Sequence, residues 1–190
     1  MSTVTPEQTG SLDVALANAA RLLATDPRLA AEQAAEILKV NPGQPLGTLL
    51  LGRAQRDCGD APSAVETLKS LCAAHPKWGL AHHELGLALG AAGQGAEAVV
   101  ALRRAVELKP DLADAWRALG DHLHAVDDTA GADQAYANYL KASNKNPRLM
   151  EAAAALCDKR IAVAEALLRE HLKEFPTDVA AIRMLAEVAG

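Results

Sequence analysis

The residues in this chain that could do chemistry are six histidines, three cysteines, two glycine clusters and a small set of arginines. A metal pair on a helix needs two imidazoles at four-residue spacing, so that both point the same way. Of His75, His82, His83, His122, His124 and His171, the pair His122 and His124 is two apart and diverges on a helix. Cys58, Cys72 and Cys157 form no close pair and no Cys-x-x-Cys motif, so buried small side chains are expected in place of a disulfide framework or a thiolate metal site. The stretch GQPLGT at 43–48 lacks the lysine of a phosphate-binding loop and follows a helix where that loop follows a strand. The stretch GAAGQG at 90–95 has the composition of a turn between helices. Ser63, Ser70 and Ser143 fall near helix ends with no base and orienting carboxylate beside them. No catalytic residue, metal site or cofactor is therefore expected. The chemistry that remains is recognition: Arg53, Arg56 and Arg117 can each grip a carboxylate through two N–H groups at once.

Those side chains must be positioned by helices. Half of the 190 residues are hydrophobic but only 3% are aromatic, so the core has to be built from Ala, Leu and Val. Ala and Leu lose little side-chain freedom in a helix, whereas strands favour the β-branched and aromatic residues that are scarce here. An all-α chain is expected. The formal charge of -5, without a long run of one sign, argues against nucleic acid or an anionic membrane as the partner. Residues 1–10 lack the basic start and apolar run of a signal peptide, and no segment approaches the ~20 apolar residues of a membrane span. The expected setting is the cytoplasm.

The helices recur. Pro42, Pro76 and Pro110 are evenly spaced, at the interval of a helical repeat of ~34 residues. With Gly79 as position one of the middle unit, Leu85 and Gly86 stand at seven and eight, Gly93 at fifteen, Ala98 at twenty, Leu102 at twenty-four, Ala105 at twenty-seven and Pro110 at thirty-two. Leu51, Gly52, Gly59, Ala64, Leu68 and Pro76 repeat that register before it, and Trp116, Leu119, Gly120, Ala132 and Tyr136 after it. Glycine at position eight lets two helices approach closely, alanine keeps the second helix thin where helices cross, and leucine fills the space between.

This pattern resembles the tetratricopeptide repeat. The resemblance implies a right-handed superhelical solenoid of antiparallel helix pairs, with about eleven helices. In that frame 1–10 is a disordered tail, 11–44 a degenerate helix pair, 45–78 and 79–112 regular repeats, and 113–146 a repeat with a lengthened end, because Pro147 arrives three residues late. A short degenerate unit at 147–176 and an unpaired first helix at 177–190 follow, the latter with Thr177 or Asp178 as N-cap.

The resemblance also implies a binding surface. In tetratricopeptide proteins, positions two, five, nine, twelve and thirteen of each first helix line a concave groove that takes a peptide or protein. By register these are Leu46, Leu49, Arg53, Arg56 and Asp57, then Leu80, His83 and Leu87, then Asp114, Arg117, Asp121 and His124. The related clamp for a chaperone's terminal carboxylate is not implied, since its matching places hold Leu49, Arg53, Glu84, Asp114 and Ala118, of which only Arg53 is basic.

Between Val179 and Ala189 only Arg183 and Glu187 are charged. Ile182, Met184, Leu185 and Val188 would leave an apolar terminal face, and a solenoid end needs a polar one to stay soluble. Ile182, Leu185 and Val188 are therefore expected to meet a second copy, as a homodimer, or a downstream region. The stretches AWRALGDHLHAVDDTAGADQAYANYL and PTDVAAIRMLAEVA resemble the N-terminal helical region of bacterial tetratricopeptide-containing sulfotransferases, which implies a substrate-positioning role beside a catalytic domain not contained in these residues.

Overall fold

The computed structural model describes residues 6–143 and 147–189. Among them are eleven α-helices and no strand: α1 (Pro6–Leu22), α2 (Pro27–Val40), α3 (Pro45–Asp57), α4 (Ala61–Ala74), α5 (Gly79–Ala91), α6 (Gly95–Leu108), α7 (Ala113–Ala125), α8 (Thr129–Ser143), α9 (Pro147–Cys157), α10 (Ile161–Glu174) and α11 (Val179–Ala189). Helix α1 starts at Pro6, where a proline at the first helical position loses no hydrogen bond, so residues 6–10 are helical and not tail. Residues 1–5 of the expected tail lie outside the described residues.

The even interval of the prolines also governs the helix starts through most of the chain. Second helices begin at 27, 61, 95 and 129, and first helices at 45, 79, 113 and 147, with one constant step in both series. Pro147 is thus the first residue of α9, equivalent to Pro45 of α3, and is not a late counterpart of Pro110. The expected lengthening after 113 amounts to one residue, α8 having 15 against 14 in α4 and α6. The frame shortens only afterwards. Helices α10 and α11 both start earlier than the same step would place them, because α9 has 11 residues where α3, α5 and α7 have 13.

The turns inside the four pairs from α3–α4 to α9–α10 are built the same way. Gly59, Gly93, Asp127 and Lys159 have φ of 86°, 74°, 61° and 56°. In each case the next residue returns an N–H to a carbonyl five residues back, from Asp60 to Gln55, Gln94 to Leu89, Asp128 to Leu123 and Arg160 to Ala155, at 2.8–3.0 Å. That bond closes the helix end, and it requires the left-handed conformation that glycine adopts most cheaply. The residue making it also opens the second helix. Asp60 caps α4 by accepting from Ser63 N–H at 3.2 Å and Asp128 caps α8 by accepting from Gly131 N–H at 2.9 Å; before α2, where Asp26 returns its N–H four residues back to Leu22, the Asp26 side chain likewise caps by accepting from Leu29 N–H at 3.1 Å. The bond to Ser63 stabilises the ionised form of Asp60 and holds its carboxyl below the usual range.

Position eight carries the close approaches. A Cβ on Gly52 would lie 2.6 Å from Cγ of Leu68, and one on Gly120 would lie 2.6 Å from Cε1 of Tyr136. Leu68 and Tyr136 both hold position twenty-four, so the larger residue of one helix fills the space left by glycine on the other. Position four has a second role: Trp116 donates from Nε1 to the carbonyl of Pro110 at 2.8 Å, and His82 bonds through Nε2 to that of Pro76 at 3.1 Å. Each side chain satisfies a carbonyl left open near a helix C-terminus.

The chain divides into two compact units, Met1–Ala101 and Leu102–Gly190, the division falling within α6. In the first unit, Leu16, Ala19, Ala34, Ile37 and Leu50 form one buried cluster, and Leu49, Leu68, Leu85 and Leu89 belong to another. In the second, Leu140, Leu149, Ala152, Leu168, Ala181 and Met184 form a cluster to which α8, α9, α10 and α11 all contribute.

Candidate functional site

In the first unit α3 and α5 pack side by side, and the expected groove residues divide sharply by burial. Leu49 is buried in the core, and His83 is only 6% exposed. Leu80 and Leu87 are half-buried and Leu46 is exposed. The helical period explains the split: positions five of α3 and α5 turn toward the neighbouring helix, while position two lies at the outer end of the face.

The arginines are already engaged, and by a residue for which composition and register gave no role. Glu84 of α5 is 3% exposed. Its Oε2 accepts from Nη1 of Arg56 at 2.7 Å, and its Oε1 lies 3.4 Å from Nε of Arg53. Arg56 also reaches Asp57 Oδ1 at 2.9 Å through Nη2, so both ends of its guanidinium carry a carboxylate. Arg53 differs. Its Nε is buried without a hydrogen bond of good geometry, while the side chain as a whole is 39% exposed. A charged carboxylate can remain buried here because cations face it from two sides. The signal that could have found Glu84 is its separation of 28 from Arg56 along the chain, which places position six of one first helix beside position twelve of the preceding one. The surface pair Lys69–Glu97, 3.3 Å apart, has the same separation.

In the second unit, Arg117, Asp121 and His124 all stand on α7 and all three are exposed. Arg117 pairs loosely with Asp114 at 3.7 Å. Asp121 accepts a hydrogen bond from the Tyr136 hydroxyl at 2.9 Å. Burial of the phenol, then the bond to Asp121 and its negative charge, raise the tyrosine pKa and keep the hydroxyl protonated.

The last helix is better covered than its sequence implied. Met184 is fully buried, and Leu185 and Val188 are half-buried against the same cluster as Leu149 and Leu168; only Ile182 of the expected contact residues is exposed, at 47%. The face read as bare is therefore largely an intramolecular packing face. Asp178 fastens it: one carboxylate oxygen accepts from Ala181 N–H at 3.2 Å as the N-cap, and the other lies 2.9 Å from Nε2 of His171, whose ring stacks on Phe175.

Among the described residues, no three metal-ligating side chains converge and no helix is long and apolar enough to cross a membrane. The three cysteines are free thiols, with Cys72 buried as expected but Cys58 exposed at the turn after α3. Burial raises the Cys72 pKa to about 11.

No family model and no curated protein matches the sequence. Solved structures do match. A tetratricopeptide protein of Thermus thermophilus, TTC0263, superposes with a TM-score of 0.64 at 21% identity, over 94% of this chain and 98% of that one. MamA from Desulfovibrio magneticus gives 0.63 at 20% identity, over 72% of this chain and 77% of that one. Pseudomonas aeruginosa pilF gives 0.62 at 16% identity, over 93% and 82%. The fold is the tetratricopeptide-type helical solenoid.

Proposed function

We propose that this chain is a polypeptide-binding scaffold that receives an acidic side chain or terminal carboxylate of its partner on the α3–α5 face. The observation that carries this reading is the unequal use of the two arginines. Arg56 is held by both Glu84 and Asp57, whereas Arg53 approaches Glu84 with Nε at 3.4 Å, on a side chain that is 39% exposed. Its terminal N–H groups are suited to a carboxylate from outside, and the buried carboxylate behind it holds the guanidinium in place. Leu46 on the same helix, and Leu80 and Leu87 on α5, leave apolar area exposed or half-buried. The tetratricopeptide fold supports the reading at the level of a protein-interaction scaffold.

The test is to pan a random-peptide display library against the immobilised protein and to counter-screen against Arg53→Glu. Enriched peptides should share an acidic residue and lose binding to the variant. Enrichment of sequences without acidic residues, or equal retention by Arg53→Glu, would remove this face from consideration.

A further inference from the structure

Between α8 and α9 lies a cavity of about 360 Å³, lined by Asp133, Tyr136 and Ala137 of α8 and Leu156 of α9. Its volume is in the range of small-ligand pockets. What it can accept is set by the direction of its hydrogen bonds. The Tyr136 hydroxyl donates its single proton to Asp121, so toward any other group the phenolic oxygen can only accept. The Asp133 carboxylate, exposed at the rim, likewise only accepts. Ala137, Leu156 and the carbon edge of Tyr136 provide apolar wall. These four side chains thus offer acceptors, negative charge and a hydrocarbon surface, and no donor. A phosphate or carboxylate would find none of them able to bond it, and the carboxylates of Asp133 and Asp121 would repel it.

We propose that this cavity receives a lysine or arginine side chain of a partner polypeptide. The aliphatic stem lies along Tyr136, Ala137 and Leu156, in the way long basic side chains cover apolar surface, while the ammonium or guanidinium reaches Asp133 and the phenolic oxygen. Gly120 makes the arrangement feasible, since its missing Cβ is what lets the Tyr136 ring lie close enough to α7 to bond Asp121. The proposal rests on the reading of the chain as a polypeptide binder, but it concerns a different unit and the opposite charge.

The experiment is a ¹H–¹⁵N correlation titration of the whole chain with four probes: Nα-acetyl-lysine amide, Nα-acetyl-arginine amide, Nα-acetyl-norleucine amide and Nα-acetyl-glutamate. Saturable shifts at the amides of 133–137 and 156 are expected with the two cations only. Asp133→Asn should weaken them about three- to tenfold, the range for a charge-assisted bond at a partly exposed site. Tyr136→Phe, which removes the acceptor, should weaken them less. No saturable shift with either cation, equal shifts with norleucine amide, or undiminished binding in Asp133→Asn would overturn the proposal. Because neither cationic probe fits Arg53, their failure would leave acidic-peptide binding by the first unit standing, and loss of that binding would leave this cavity untouched.

Discussion

Nη1 of Arg56 on α3 lies 2.7 Å from Oε2 of Glu84 on α5, and this bond joins the first helices of two successive repeats. The two partners are not equally dispensable. If Glu84→Gln is made, Arg56 keeps Asp57 and can turn toward water; if Arg56→Met is made, a buried carboxylate is left with the 3.4 Å approach of Arg53 and the His83 ring at 3.9 Å, and loses its one short bond to a guanidinium. Breaking a buried pair costs about 3–5 kcal/mol when the remaining charge is stranded. Urea denaturation should therefore show Arg56→Met losing that amount and Glu84→Gln clearly less, about 2 kcal/mol. The reverse order would mean that Arg56, not Glu84, is the stranded charge.

The turn after α9 places Lys159 at φ 56°, where the equivalent turns use Gly59 and Gly93. A side chain in the left-handed region costs about 1–2 kcal/mol, partly offset by the greater chain entropy glycine loses on folding. Lys159→Gly should raise stability by about 0.5–1 kcal/mol in thermal or urea unfolding. Asp127→Gly should gain less, because aspartate tolerates that conformation better. Gly93→Ala should lose about 1 kcal/mol on backbone grounds alone, since no atom meets the added Cβ.

Gly120→Ala differs from Gly93→Ala, because here space is the constraint. The new methyl would lie 2.6 Å from the Tyr136 ring, whose rotation would break the bond to Asp121. Overpacking of this kind costs about 1–3 kcal/mol. The Tyr136 ring should also report the change directly, through a fall in its raised pKa in an ultraviolet titration, which a merely destabilised but unshifted ring would not show.

The repeat was legible in the sequence because its marks are steric. Gly52, Gly120, Ala64, Ala98 and Ala132 sit where helices touch, so larger residues are excluded there whatever the partner. The frame at Pro147 was misread for a physical reason too: proline is tolerated both at the first helical position, as Pro45, and after the pair, as Pro110, and proline alone does not tell them apart. The charge site was half legible. Arg53 and Arg56 announced an anion site, but the anion is Glu84, and so distant a pair becomes visible only once adjacent first helices are in register. Burial of Leu49 and His83 was hidden likewise, since it depends on how α5 lies against α3.

Cys72 and Cys58 should separate cleanly in reactivity. With a pKa near 11, Cys72 is ionised at pH 8 only to about one part in a thousand, and it is buried, whereas Cys58 is exposed. Iodoacetamide under native conditions should label Cys58 long before Cys72, as read by peptide mass spectrometry. The same shift has a consequence for stability. The folded state holds the thiol proton more tightly than the unfolded chain, whose ordinary value is 9.0, so this contribution is intact below pH 9 and is lost as pH rises from 9 to about 11. Cys72→Ala should flatten that part of the pH–stability curve, and an unchanged slope would show that the thiol does not titrate differently on folding.

The final helix offers the sharpest separation between packing and interface. Asp178 caps α11 and binds His171, Met184 and Ala181 are buried in the cluster shared with α9 and α10, and Ile182 points outward. Asp178→Ala removes an N-cap, worth about 1 kcal/mol, and the bond to a buried imidazole as well. Hydrogen exchange should then speed up across α11 while α3 to α5 remain protected, because the lost contacts belong to the second unit alone. Leu185→Glu should have a similar but larger effect, since it places a charge against Leu168 and its neighbours. Ile182→Glu should leave exchange and stability within about 0.5 kcal/mol of the parent, as expected for an exposed position. If sedimentation of the parent shows a dimer and Ile182→Glu alone dissolves it, the exposed edge of α11 is the contact between copies; a dimer indifferent to Ile182→Glu must be held together elsewhere.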